Sequence, residues 1–230
     1  MQLNELSARS GVSAASIKYY LREGLLQHGE AITATRARYD ASHLGRLELI
    51  QALRQIVGLG IEQIRAIVSL ADGGAPRLEV LATVQRVVLR LEPHDGGTHG
   101  GGSRGADGAA QTRPGDAVVQ LRGWPDEESD ARSALDAQLA LMDRLGIPLS
   151  TEILDAYSAA MDTIAGLDLQ LTAAAADLDQ AILTAAVGMH MHSQLLLKLL
   201  ALAQASHAIR RFQYNNAGSP TAHVADVDGP

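Results

Sequence analysis

The sequence predicts a mainly α-helical protein that carries one short β-hairpin. Three observations predict it. Apolar residues recur three and four positions apart through most of the chain. Aromatic residues make up only 3% of the 230 residues, and Ala and Leu dominate the second half, a composition that favours helices over sheets. One stretch, Arg36-Ala37-Arg38-Tyr39, alternates instead, with outward cations against inward groups, as one strand of a small hairpin does.

The elements follow in order. Leu3 to Arg9 reads as a first short helix with Leu3 and Leu6 inward. Gly11 can take the positive φ that closes it, and Ser13 can cap the next helix, which runs to Arg22. Val12, Ile17 and Leu21 supply its inward contacts, the last two at i, i+4 spacing. Ser16, Lys18, Tyr19 and Arg22 remain for another surface; hydroxyls, a phenol and cations on a small helix suit phosphate oxygens and base edges. Glu23-Gly24 stops this helix, and Leu25-Leu26 returns to the core. Residues 27–35 are polar and irregular, ahead of the hairpin strand. Asp40 caps a third helix with Leu44, Leu47, Ile50 and Leu53 at helical spacing. Gly58 and Gly60 break it, and Glu62 to Leu70 forms a fourth helix that buries Ile64, Ile67 and Val68.

This is a helix–turn–helix, a wing and two further helices. Leu3-Asn4-Glu5-Leu6, Gly11-Val12-Ser13, Ile17-Lys18-Tyr19-Tyr20, Gly24-Leu25-Leu26, Arg38-Tyr39-Asp40, Leu44, Gly60-Ile61 and Ile64-Arg65 stand in this order over residues 1 to about 70. In that pattern the chain resembles the MerR family of bacterial transcription regulators. Two departures stand out: Gln27 occupies the family's usual Pro after Gly-Leu-Leu, and Arg36-Ala37-Arg38 replaces its Gly-Tyr-Arg wing motif. The resemblance implies a winged helix-turn-helix DNA-binding domain over residues 1–75, with Ser13, Ser16, Lys18, Tyr19, Tyr20, Arg22, Arg36, Arg38 and Tyr39 at the DNA. It implies a dimer that binds between promoter elements, distorts the duplex and realigns the elements for RNA polymerase, under an effector on the C-terminal region.

Pro76 can occupy the first turn of a fifth helix, read as a dimerisation helix over residues 76–93. Leu81, Val84, Val88 and Leu91 follow a 3-4-3 spacing, a coiled-coil seam only about two heptads long; packing of this helix on its own domain is the other reading. Pro93 ends it. Residues 94–120 are rich in Gly and read as a flexible linker, with His94 and His99 as solvated side chains. A helical effector or dimerisation domain follows over residues 121–214. Within it Pro125-Asp126-Glu127-Glu128 reads as a helix start, Gly146 and Pro148 as a break, Gly166 as a helix end, and Gly188 as an interruption of the last long helix. Residues 215–230 read as a frayed tail.

Composition excludes several classes. The chain has no cysteine, so neither a disulfide scaffold nor a thiolate metal site exists. No apolar run is long enough to span a bilayer; the longest, near Leu195, is broken by Lys198. The start, Met1-Gln2-Leu3-Asn4-Glu5, is no signal peptide, and a cytoplasmic protein is expected. The net charge is −7, yet the first 70 residues hold eight Lys and Arg against six acids, a mildly basic head on an acidic body. No catalytic triad, nucleotide loop or carboxylate pair stands out, so no enzyme and no cofactor are expected. In Met189-His190-Met191-His192 the histidines two apart point about 200° away from each other on a helix and cannot share a metal ion. His190 and Gln194 instead offer polar groups to a pocket or interface. Trp124, Tyr157, Met161, Met189 and Met191 either line an apolar ligand cavity or are ordinary core.

The expected function is that of a homodimeric regulator of a dyad-symmetric DNA site. Two alternatives stay open: a protein that sequesters a small molecule beneath a MerR-like head, and a regulator controlled by a protein partner.

Overall fold

The computed structural model describes residues 1–33, 36–91, 112–147 and 149–216. Two helices come first, α1 (Leu3–Ser10) and α2 (Ala14–Arg22). A two-stranded antiparallel hairpin follows, β1 (Glu30–Thr33) and β2 (Arg36–Arg38). Three more helices are α3 (Ala41–Gln55), α4 (Ile61–Asp72) and α5 (Arg77–Leu89). After the gap come α6 (Asp116–Arg122), α7 (Asp130–Arg144), α8 (Thr151–Ala173) and α9 (Leu178–Asn216). The mainly helical fold with one hairpin is therefore as expected.

Local chemistry sets the ends of the first helices. The Gly11 backbone sits at φ 70°, and its N–H donates to the Ser7 carbonyl at 3.0 Å, a left-handed cap that a side chain would strain. The Ser13 hydroxyl accepts from the Ser16 N–H at 3.1 Å, as a cap of α2 should. Asp40 caps α3: its Oδ1 accepts from the Ser42 N–H at 2.9 Å and from the Ser42 hydroxyl at 2.6 Å, and it lies 2.7 Å from His43 Nδ1. The hairpin pairs Glu30 with Arg38 and Ala31 with Ala37, then shifts register at a bulge between Ala31 and Thr33.

The core binds these elements together. Leu6, Ile17, Leu25, Leu47, Ile50, Leu53, Ile64 and Ile67 are fully buried in one cluster. Val80, Val84 and Val87 of α5 belong to the same cluster. So do Ile182, Ala185 and Ala186, from the first half of α9. The expected separation of residues 121–214 from the head therefore fails for this segment: its small and branched side chains complete the head's core. The chain divides into two compact units, residues 1–190 and 191–230.

Several expected boundaries are corrected. The fifth helix stops at Leu89, where Arg90 takes a left-handed φ of 55°, four residues before Pro93. Residues 116–120 of the expected linker belong to α6, which runs on to Arg122, because Val118 and Val119 are buried. The linker's earlier part, with His94 and His99, lies outside the described residues, as do residues 217–230 of the expected tail. Helix α7 starts after Ser129, which accepts from the Arg132 N–H at 3.1 Å; Pro125 to Glu128 precede it. Asp126 and Glu128 instead hold Arg132 and Arg113. Helix α8 passes through Gly166, and α9 through Gly188, without a break. One glycine costs a helix only about 1 kcal/mol, which a long helix absorbs.

Candidate nucleic-acid interface

The turn between α1 and α2 is tied by side chains. The Ser10 hydroxyl donates to the Leu6 carbonyl at 2.7 Å and the Ser7 hydroxyl to the Val12 carbonyl at 2.6 Å. Val12 is driven into the core beside Leu6. These contacts fix the direction in which α2 leaves the turn. Ile17 and Tyr20 are the buried face of α2, and Leu21 packs partly against the same core. Ser13, Lys18 and Arg22 are exposed, while Ser16 and Tyr19 are half-buried. The Ser13 and Ser16 hydroxyls lie 2.9 Å apart. The Arg22 guanidinium sits 5.2 Å from the centre of the Tyr19 ring, within cation–π range.

The hairpin stands next to this surface because its base is clamped to the chain start. The Tyr39 N–H donates to the Met1 carbonyl at 2.8 Å, and the Met1 ammonium donates to the Tyr39 carbonyl at 2.7 Å. Between α1, Lys18 and the hairpin lies an open cleft of about 500 Å³, lined in part by Gln2, Asn4, Lys18, His28, Thr33 and Arg36.

The cations of the head divide into two groups. Arg46 and Arg65 are structural. Arg46 pairs with Asp72 and Asp179, and Arg65 with Glu23 and Glu62. Arg38 crosses the hairpin to Glu30 at 2.5 Å, and Arg22 lies 3.5 Å from Glu23. Among the described residues, no ion pair takes up Arg9, Lys18, Arg36 or Arg54. Lys18 and Arg36 face one cleft from different elements, the arrangement a phosphate backbone requires.

Two residues expected at the DNA are corrected. Tyr20 is only 7% exposed and belongs to the core, because i, i+3 from Ile17 places it inward. Tyr39 is buried to the same degree and packs edge-on against His43. Sequence reasoning did not place Gln2, Asn4 and His28 at this surface, since they come from two separate segments that only the fold brings to Lys18.

The expected dimer seam is corrected as well. Val84 is fully buried in the chain's own core, Leu81 and Val88 pack partly on that core, and Leu91 lies beyond the end of α5. The short helix has used this face for its own domain. The residues expected to line a ligand pocket have these surroundings. Trp124 Nε1 donates to Asp162 at 2.6 Å. Tyr157, Met161 and Met191 are exposed. Met189 packs on the head's core. His190 is half-buried and Gln194 exposed, on a helix that runs straight past Gly188. Among the described residues, no group of three His, Asp or Glu could hold a metal ion.

Residues 1–70 match the MerR HTH family of regulatory proteins. The head is a MerR-type domain. Beyond it, the chain is similar to a solved structure, that of the "putative transcriptional regulator SCO5550" from Streptomyces coelicolor A3(2). The two are 29% identical with a TM-score of 0.61, over 92% of this chain and 98% of that one. No curated protein matches the chain. The likeness extends well past the MerR-type head, so the helices after it belong to a shared architecture. No helix among the described residues is long and apolar enough to cross a membrane.

Proposed function

We propose that the protein is a homodimeric, sequence-specific transcription regulator. Two MerR-type heads related by a dyad read a near-palindromic promoter site. Ser13, Ser16, Lys18, Tyr19 and Arg22 enter or flank the major groove, and Arg36 and Arg38 hold the flanking backbone. One observation carries this reading: Lys18 of the second helix and Arg36 of the hairpin line one open cleft, with no carboxylate among the described residues to neutralise them.

The dimer bends or untwists the duplex between promoter elements and so presents them to RNA polymerase. Distortion costs free energy that depends on the sequence deformed, which adds specificity at base pairs the protein does not touch. Control comes from the helices after the head. A cleft of about 550 Å³, lined by Leu139, Met142, Ile147, Leu149 and Leu154 beside Asp143 and Arg144, suits a small, largely apolar effector with one polar group. The first half of α9 lies in the head's core, so a change among the later helices has a packed route to the DNA-reading surface.

The test is a titration of fluorescent upstream DNA with the full chain, against a shuffled duplex of equal length. Preference for the upstream duplex by a factor of a hundred or more is expected from specific readout. Equal affinity for both removes the reading.

A further inference from the structure

We propose that Glu30 competes with DNA phosphate for Arg38 and so holds the hairpin's grip on the duplex below its full strength. The inference rests on the DNA-binding reading above, in which Arg38 holds flanking backbone, and assigns a role to the residue across the hairpin from it.

The ladder builds the pair. Glu30 of β1 and Arg38 of β2 stand directly opposite each other, where side chains of opposite charge meet. Both backbones are held in place. Tyr39, next to Arg38, is clamped to Met1. A Cβ on Gly29, next to Glu30, would lie only 2.6 Å from the Arg38 carbonyl oxygen. The two charges therefore stay within reach of each other, and only their side chains can part.

The contact takes a working edge of the guanidinium. Arg38 Nε and Nη2 both donate to Glu30 Oε2, at 3.2 Å and 2.5 Å. That same Nε–Nη2 edge can take two oxygens of a phosphate side by side. One edge cannot serve both anions, so a phosphate there must displace the carboxylate. The displaced Glu30 then stands unpaired near a like charge. Exchange is still feasible. Both side chains are well exposed, 61% for Arg38 and 69% for Glu30, and an ion pair in water is weak.

The acid beside Arg22 does not play this part. Glu23 lies 3.5 Å from Arg22 but is held at 2.7 Å by Arg65. Among the described residues, Glu30 has no second cation to turn to, and Arg36 has no acid to leave. The hairpin thus carries Arg36, which is ready for phosphate, and Arg38, which has first to be released.

The experiment titrates fluorescent upstream DNA with four full-length chains: the wild type, Glu30→Gln, Arg38→Gln and the double variant. Neither side chain is buried, and all four chains are expected to unfold at nearly the same temperature. Glu30→Gln frees Arg38 and removes a charge beside the phosphate. It is expected to bind about threefold more tightly than the wild type, the size of effect an exposed pair allows. In the Arg38→Gln background the same change is expected to give less than about half of that gain on a logarithmic scale, since no arginine is left to release. Two results overturn the proposal and leave the DNA-binding reading standing. In one, Glu30→Gln binds no more tightly than the wild type. In the other, the gain is equally large without Arg38, which makes Glu30 a distant repulsive charge only. A wild-type chain with no preference for the upstream duplex over a shuffled one overturns both.

Discussion

Arg46 Nε donates to Asp179 Oδ2 at 2.7 Å, while the same guanidinium reaches Asp72 Oδ1, also at 2.7 Å. One side chain of α3 thus fastens the end of α4 and the start of α9, across 133 residues of chain. Burial alone would lower the arginine's pKa, but the hydrogen bonds to Asp72 and Asp179 outweigh it and raise it above the ordinary value. The cation is permanent, and the joint is as firm as its two carboxylates.

Substituting Arg46 by Met tests this joint. It leaves two half-buried carboxylates facing each other without their cation. The expected loss is about 2 kcal/mol, below the value for a fully buried pair because both acids retain solvent. Chemical denaturation measures it. If α9 relays control to the head, the variant also loses response to any effector while its bare DNA affinity changes less.

Tyr19 and Tyr20 are neighbours with opposite assignments. Tyr20→Ala removes a core ring and should cost about 3 kcal/mol of stability. Tyr19→Ala should cost little stability and weaken DNA binding, since the ring positions Arg22. Thermal unfolding and DNA titration of both variants separate the two roles; equal behaviour would refute the division.

Gly29 meets the hairpin closely. A Cβ there would lie 2.6 Å from the Arg38 carbonyl oxygen and 3.0 Å from the Tyr39 ring. Neither backbone nor a buried ring yields easily, so Gly29→Ala should displace the hairpin at a cost of about 1–3 kcal/mol. Most of the core does not touch Gly29, so helical content by circular dichroism is expected to persist while DNA affinity falls.

The Asp40 carboxyl is held well below the usual carboxylate range, first by the Ser42 hydroxyl and then by His43. A depressed folded-state pKa stabilises the fold above the unfolded-state value, near pH 4, and that contribution is lost as pH falls further. Asp40→Ala should lower the unfolding temperature by a few degrees at neutral pH. The difference between variant and wild type should shrink on acidification below about pH 4. A difference constant from pH 7 to pH 2 would contradict the cap's role.

What was legible in the sequence was local. Gly11, Ser13 and Asp40 act within a few residues of themselves, so their types reveal the caps. The head's core followed from three- and four-residue spacing. Faces that two spacings share were not legible. Ile17 to Leu21 and Ile17 to Tyr20 are both helical neighbours, and only packing decides that Tyr20 is the more buried. The same ambiguity placed Val84 at a seam when Val80, Val84 and Val87 face inward. Long-range events left no trace: nothing near Asp179 announces Arg46, and nothing near Ile182 announces the head's core. At the candidate interface, Lys18 and Arg36 were legible as outward cations. Their sharing of one cleft, and the loss of Arg46 and Arg65 to ion pairs, required the fold.

The central claim is that this head binds promoter DNA as a dimer and distorts it. A chemical footprint of the full chain on its own upstream DNA, at two salt concentrations, tests it most directly. The account predicts a protected, dyad-symmetric site with altered reactivity at its centre, weakening at the higher salt. Lys18→Ala should then reduce the salt dependence by about one phosphate's share. Protection that follows no sequence and vanishes with salt would contradict it.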